Sequence, residues 1–231
     1  AYLTGTAVVK TCEALKEKIL HKAAKYLETG VEELEFDGKR VYKLACGEDG
    51  TKKEISIKDL ANRVQCANED ALQVTQSHSS PISPPPFMAG AAEVEVDLET
   101  GQVELIKFAA AVDCGTPLNE NLARVQTEGG LVQGIGMALY EDVSYSKDGK
   151  VHENSFMQYK VPSRLDVGRV QVEFESSFEP TGPFGAKSIG EVVINTPSPA
   201  IANAVYNAVG VRIRELPITA EKVFKGMNGL D

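Results

Sequence analysis

The sequence predicts an α+β fold of mixed, mostly antiparallel sheets with packed helices. Three observations point to it. Two-residue alternation recurs in hairpin-sized pairs, and helical periodicity occupies separate blocks between those pairs. A proline-rich stretch then cuts the chain into a small α/β unit, 1–76, and a larger C-terminal part, 77–231.

The first part carries a helix predicted over 11–29, with Leu15, Ile19, Leu20, Ala23, Ala24 and Leu27 on one face. Thr11 is its candidate N-cap, and Gly30 stands where a left-handed C-terminal cap is wanted. Leu34 to Tyr42 reads as two short strands around an Asp37-Gly38 turn. Ser56-Ile57-Lys58-Asp59 has the spacing of a capping box, with aspartate for the usual glutamate, and opens a helix through Val64. Residues 75–87 contain Pro84, Pro85 and Pro86 in a row, which favour polyproline II and forbid helix.

Past the prolines, Val94, Val96 and Leu98 alternate with Glu93, Glu95 and Asp97. Thr100-Gly101 turns the chain, and Val103 and Leu105 begin a return strand. One acidic and one apolar face imply an antiparallel sheet covered on one side. Val170, Val172 and Phe174 repeat the pattern, and Asp148-Gly149 marks another hairpin. One helix is predicted from near Asn119 towards Glu141. A second spans 199–209, with Ser198 as cap, Pro199 at its first position and Gly210 past its end.

Composition narrows the function. With 42% hydrophobic and 25% charged residues the 231-residue chain is globular rather than disordered. A net charge of −9 without a basic run argues against a nucleic-acid or anionic-membrane partner. No apolar run reaches membrane-spanning length and no signal-peptide pattern stands out, so a cytoplasmic protein is expected. Cys12, Cys46, Cys66 and Cys114 are scattered, without the paired spacing that holds zinc or an iron–sulfur cluster. The opening Ala1-Tyr2-Leu3, with no methionine, reads as the start of a fragment.

Three segments could carry chemistry. Gln126 to Leu139 has helical length yet holds Gly129, Gly130, Gly134 and Gly136. Each glycine inside a helix costs about 1 kcal/mol relative to alanine. Two reasons can offset that: close packing against another element, or a bulky ligand approaching the backbone beside Gln126 or Gln133. The second segment, Pro180 to Glu191, is not a phosphate-binding loop, because Gly182 and Gly185 are too close and Ala186 precedes Lys187. It ends in Glu191 between Ile189-Gly190 and Val192-Val193-Ile194. Either this is a solvated loop glutamate, or its apolar neighbours desolvate it and raise its pKa towards that of a general base working near neutrality. In the third segment Cys114 has no histidine nearby in sequence, so it reads as a small buried residue at a strand end.

Several motifs occur in a fixed order: Glu93-Val94-Glu95-Val96-Asp97, Thr100-Gly101, Asp113-Cys114-Gly115, Leu118-Asn119, Gln126 with Gly129-Gly130, and Gln133-Gly134-Ile135-Gly136. They continue as Tyr159 with Pro162, Gly182-Pro183-Phe184-Gly185-Ala186-Lys187, Gly190-Glu191, Gly210-Val211-Arg212 and Leu216-Pro217. This series resembles the C-terminal portion of the molybdenum-cofactor-binding subunit of the xanthine dehydrogenase and aldehyde oxidase family, most strongly over 88–227. Thr4 to Val9 resembles the family's stretch after a serine-containing cofactor loop.

The resemblance implies a molybdenum-cofactor-binding domain of a hydroxylase. Its cofactor is a molybdenum-pterin, either molybdopterin or the cytosine dinucleotide form, with the metal held by the pterin and not by protein ligands. It hydroxylates an electron-poor carbon of a purine, another N-heterocycle or an aldehyde with oxygen drawn from water. Glu191 matches the glutamate acting as general base on the molybdenum-bound hydroxyl. Gly185, Ala186 and Gly190 match the loop passing close to the cofactor, Phe184 helps bound the substrate pocket, and Gln126 and Gln133 match two glutamines, at least one of which bonds the pterin. Ser188 departs from the family, which has glycine after this lysine; serine fits the same backbone only at negative φ.

Iron–sulfur clusters, and often FAD, are implied on other domains or subunits, with the N-terminal part of the subunit as a further partner and an oligomer in the intact enzyme. The 231-residue piece alone is expected to be inactive. A carbon monoxide dehydrogenase-like or nicotinate-hydroxylating relative and a non-catalytic scaffold homologue are the alternatives.

Overall fold

Helix α1 runs Tyr2–Leu27, starting well before the predicted 11–29. Thr11 does not cap it; its hydroxyl donates to the Ala7 carbonyl at 2.8 Å, and Thr6 does the same to Tyr2. Such bonds one turn back let threonine sit inside a helix. At the other end Gly30 is extended, at φ −69°, and the left-handed turn falls on Glu28, at φ 53°. The computed structural model describes residues 1–45 and 52–230; Cys46 lies outside the described residues.

The described chain forms two compact units that part between Pro81 and Ile82, inside the proline-rich stretch. In the first, 2–81, strands β1 (Leu34–Phe36) and β2 (Arg40–Lys43) pair antiparallel around Gly38, whose φ is +91°. A third antiparallel strand, β3 (Glu54–Ser56), is too short for alternation to reveal. It leads directly into α2 (Ile57–Cys66), where the Ser56 hydroxyl accepts from the Asp59 amide at 3.1 Å and donates to the Asp59 carboxylate at 2.7 Å. Ile19, Ala23, Leu27, Leu34, Val41, Ile55, Leu60 and Val64 form the core of this unit.

In the second unit, 82–230, β4 (Phe87–Val96) and β5 (Val103–Asp113) pair antiparallel as alternation predicts, with a register shift at Glu93/Val94. β6 (Arg169–Phe174) completes the order β4-β5-β6 but runs parallel to β5. Alternation alone cannot show strand direction. A parallel partner needs a long crossover, and α3 (Glu120–Leu139) lies within it, capped by the Asn119 side chain, which accepts from the Leu122 amide at 3.0 Å.

Helix α4 spans Pro197–Val209. It begins at Pro197 rather than Pro199, and Ser198 lies inside it, because a second proline is tolerated where first-turn amides have no helical acceptor anyway. Gly210 ends it at φ 72°, as expected. α5 (Ala220–Met227) follows, capped by Thr219. Leu105, Phe108, Ala110, Val112 and Val172 of the sheet meet Leu131, Ile135, Ile201, Val205 and Val223 of the helices in one core. Among the described residues no helix is long and apolar enough to cross a membrane.

Candidate functional site

One side of α3 and the segment 190–195 face each other across a cleft of about 940 Å³. Leu122, Val125, Gln126, Gly129, Gly130 and Gln133 line it from the helix, at spacings of three and four that put them on one face. Gly190, Glu191, Ile194 and Asn195 line the opposite wall. Three side-chain amides (Gln126, Gln133 and Asn195), one carboxylate and an apolar rim therefore converge, with acceptors and donors on both walls.

The glycines of α3 divide between the two reasons for their presence. A Cβ at Gly130 would stand 2.2 Å from Val193 Cγ2, at Gly134 2.7 Å from Pro197 Cγ, and at Gly136 2.1 Å from a Glu141 carboxylate oxygen. The first two let the 192–197 segment press against the helix backbone. Gly129 is different: a Cβ there would meet nothing within 4 Å, and the same holds for Gly190 across the cleft. Glycine at these two positions keeps the cleft open to a group lying between them.

Glu191 is exposed in this chain. Burial among its apolar neighbours, one of the two readings of its sequence context, is not what the fold provides. Val193 turns inward and is fully buried, and Ile189 and Val192 pack against the core, which leaves the carboxylate on the cleft side. Ser188 is outside the left-handed region, which among non-glycine described residues holds only Glu28, Asn68 and Phe184.

Gly185, Ala186 and Phe184 lie beside the cleft rather than in it. Gly185 is buried at φ +85°, its carbonyl accepting from the amides of Thr116 at 2.8 Å and Glu179 at 3.0 Å. A Cβ there would come within 2.4 Å of the Phe178 ring. Ala186 bridges to Gly115 and lines a separate pocket of about 280 Å³ that shares Leu122 and Gln126 with the cleft. Phe184 is 72% exposed.

A second cluster ties this loop to the end of β5. Lys187 Nζ lies 2.8 Å from Asp113 Oδ2, while Asp113 Oδ1 accepts from Ser177 Oγ at 2.5 Å and from the Gly115 amide at 2.9 Å. Desolvation acts to raise the Asp113 carboxyl, but the bonds from Lys187, Ser177 and Gly115 outweigh it and hold its pKa below the usual value. Cys114 is 3% exposed, and burial, followed by the Asp113 charge, pushes its thiol up, away from a thiolate nucleophile. Sequence reading misses the ion pair because its partners are 74 residues apart and no local spacing signals it.

Side chains able to hydrogen-bond a polar ligand therefore line both walls of the cleft. The family profile described as a molybdopterin cofactor-binding domain matches residues 1–168. The chain belongs to that family. The probable hypoxanthine oxidase XdhD of Escherichia coli K12 is 34% identical over 226 residues, covering 97% of this chain and 23% of the relative. The putative xanthine dehydrogenase molybdenum-binding subunit XdhA of the same organism is 30% identical over 228 residues, covering 97% of this chain and 30% of the relative. Carbon monoxide dehydrogenase from Oligotropha carboxidovorans superposes with a TM-score of 0.78 at 26% identity, covering 97% of this chain and 28% of that one. The chain thus spans less than a third of the length of each of these proteins.

The residues present fit a molybdopterin. The exposed amides of Gln126 and Gln133 would offer donors and acceptors to a pterin, and Gly129 and Gly190 put no side chain between the walls.

Proposed function

We propose that this chain is part of the molybdenum-binding subunit of a xanthine dehydrogenase-like hydroxylase, with Glu191 as general base. The observation that carries the reading is the meeting of Glu191 with Gln126 and Gln133 in one glycine-floored cleft. The net reaction takes a substrate C–H and water to C–OH, two protons and two electrons. When bound, the molybdenum cofactor supplies the two-electron acceptor for that exchange.

The chain's own residues do the rest. The Glu191 carboxylate takes the proton of the water-derived hydroxyl as its oxygen attacks an electron-poor carbon; a base placed in this way contributes roughly 10²–10⁴-fold to rate. At least one of Gln126 and Gln133 would hold the pterin by amide hydrogen bonds. Leu122, Val125 and Ile194 give the rim an apolar edge that sheds water when the cleft is closed.

The substrate is a purine, another N-heterocycle or an aldehyde; the similarity to a probable hypoxanthine oxidase favours a purine. Electrons leave through iron–sulfur clusters, and often a flavin, on other domains or subunits; the description of one relative as a molybdenum-binding subunit supports a multi-subunit assembly. The 231-residue piece alone is inactive on this reading.

The test is Glu191→Gln in the full-length subunit assembled with its electron-transfer partners. Turnover of purines, aldehydes and nicotinate is followed by dye reduction and normalised to bound molybdenum. Full metal content with at least about 100-fold less turnover supports the base assignment. Equal turnover by both proteins removes it, and an absence of molybdenum from both favours a non-catalytic scaffold.

A further inference from the structure

Glu191 stands at the end of a segment with few tethers. Ser188, Ile189 and Gly190 make no backbone hydrogen bond with the rest of the described residues, and Gly190 has open space around it. Only the Ile189 side chain, packed on the core, holds the middle. The position of the carboxylate is therefore set by what grips the chain on either side.

On the C-terminal side, Val193 is locked against the bare backbone of Gly130. On the N-terminal side the grip is double. The Lys187 amide donates to the Cys114 carbonyl at 2.7 Å, and its ammonium reaches Asp113. The two side chains are only 10% and 20% exposed, and Asp113 is itself fixed by Ser177 and the Gly115 amide. An ammonium this far out of water needs its counter-charge, and a charge-assisted bond between orientated partners is about twice as strong as a neutral one. The Phe87 ring, 5.4 Å from the ammonium, adds a further constraint.

We propose that the Asp113–Lys187 ion pair fixes where Glu191 stands in the cleft, making both positioning residues for proton transfer. The inference rests on the reading of Glu191 as base. It assigns a use to a pair that does not itself line the cleft. Proton transfer depends on reach and angle, and a displacement of about 1 Å can lower the rate on the order of 100-fold.

The experiment uses the full-length subunit in its assembled enzyme. Variants are Lys187→Met, Lys187→Arg, and the double Asp113→Asn/Lys187→Met, which leaves no unpaired buried charge and so keeps the fold if the single change does not. Hydrogen exchange over 186–191 is read beside kcat and KM on the responding substrate. Lys187→Met and the double variant are expected to exchange roughly tenfold faster there, the effect of losing one charge-assisted bond. Their kcat is expected to fall roughly ten- to a hundred-fold with KM nearly unchanged, and Lys187→Arg is expected to recover most of it.

In a Glu191→Gln background Lys187→Met should have no additional effect on kcat, because both act through one group. Unchanged exchange overturns the clamp whatever Glu191 does. Faster exchange with undiminished kcat overturns the positioning role. If Glu191→Gln alone leaves turnover intact, the base reading falls with it, while the exchange result still reports separately on the clamp.

Discussion

Helix α3 uses glycine in opposite ways along one short stretch. Gly130, Gly134 and Gly136 are places where another group already occupies the space a side chain would need. Gly129, one residue away from Gly130, is a place where nothing does. Sequence alone shows four glycines and one energetic puzzle; the fold shows two answers. Three of the glycines admit close contact, and the fourth holds room beside the two glutamines. The comparison teaches that a glycine-rich helix is not in itself a ligand signature, and that the informative glycine is the one with no neighbour.

Substitutions can break or sharpen that contrast. The largest effect is expected from Gly130→Val, which forces branched atoms into Val193 and should destabilise the subunit by on the order of 3 kcal/mol. That is roughly 6–12 °C in the thermal midpoint for a unit of this size. Adding Val193→Ala should restore part of it, and a midpoint unmoved by Gly130→Val would remove the packing explanation.

Gly129→Ala should do the reverse. A methyl group here meets open space, so the helix gains up to about 1 kcal/mol and the thermal midpoint rises slightly. Molybdenum bound per subunit should meanwhile fall, because the methyl projects into the cleft. Full metal loading in Gly129→Ala would show that the open space is not used.

The smallest effect is a change with pH, and it concerns the loop anchored opposite the helix. The folded-state pKa of Asp113 is depressed, so its stabilising contribution is present above the ordinary carboxylate value of 3.8 and is lost as pH falls through the lower folded value. The difference in thermal midpoint between the native subunit and Asp113→Asn should therefore be steady near neutrality and shrink below about pH 4. A difference that grows on acidification would contradict the depressed pKa.

Much of the scaffold was legible because it is written locally. Asn119 caps α3 and Ser56 caps α2 through bonds three residues long, and Asp37-Gly38 and Gly210 mark turns that need positive φ at the glycine. The early start of α1 was hidden because Thr6 and Thr11 look like breakers until their hydroxyls are seen bonding back to the helix. The direction of β6 was hidden because a parallel and an antiparallel strand alternate alike. Of the residues singled out for the site, Gln126, Gln133, Gly190 and Glu191 meet in the cleft, whereas Gly185, Ala186 and Phe184 stand outside it. The exposure of Glu191 could not be read from its apolar neighbours, since adjacent residues in a tight turn point to different sides. The Asp113–Lys187 pair was invisible for a simpler reason: only the folded chain brings its members together.

The parallel pairing of β5 with β6 has a consequence for the order of assembly. β4 and β5 are neighbours in sequence and can close as a hairpin on the microsecond scale, whereas β6 must wait until the whole crossover through α3 has been gathered in. Loops of that length close slowly and at greater entropic cost, and the 113–187 contact lies further out still. The cleft is thus expected to be among the last parts of the unit to form, with protection from pulsed hydrogen exchange appearing in β4 and β5 before it appears at Lys187. A cofactor that needs both walls would then meet a chain already committed to its fold, so loading would follow folding and not guide it.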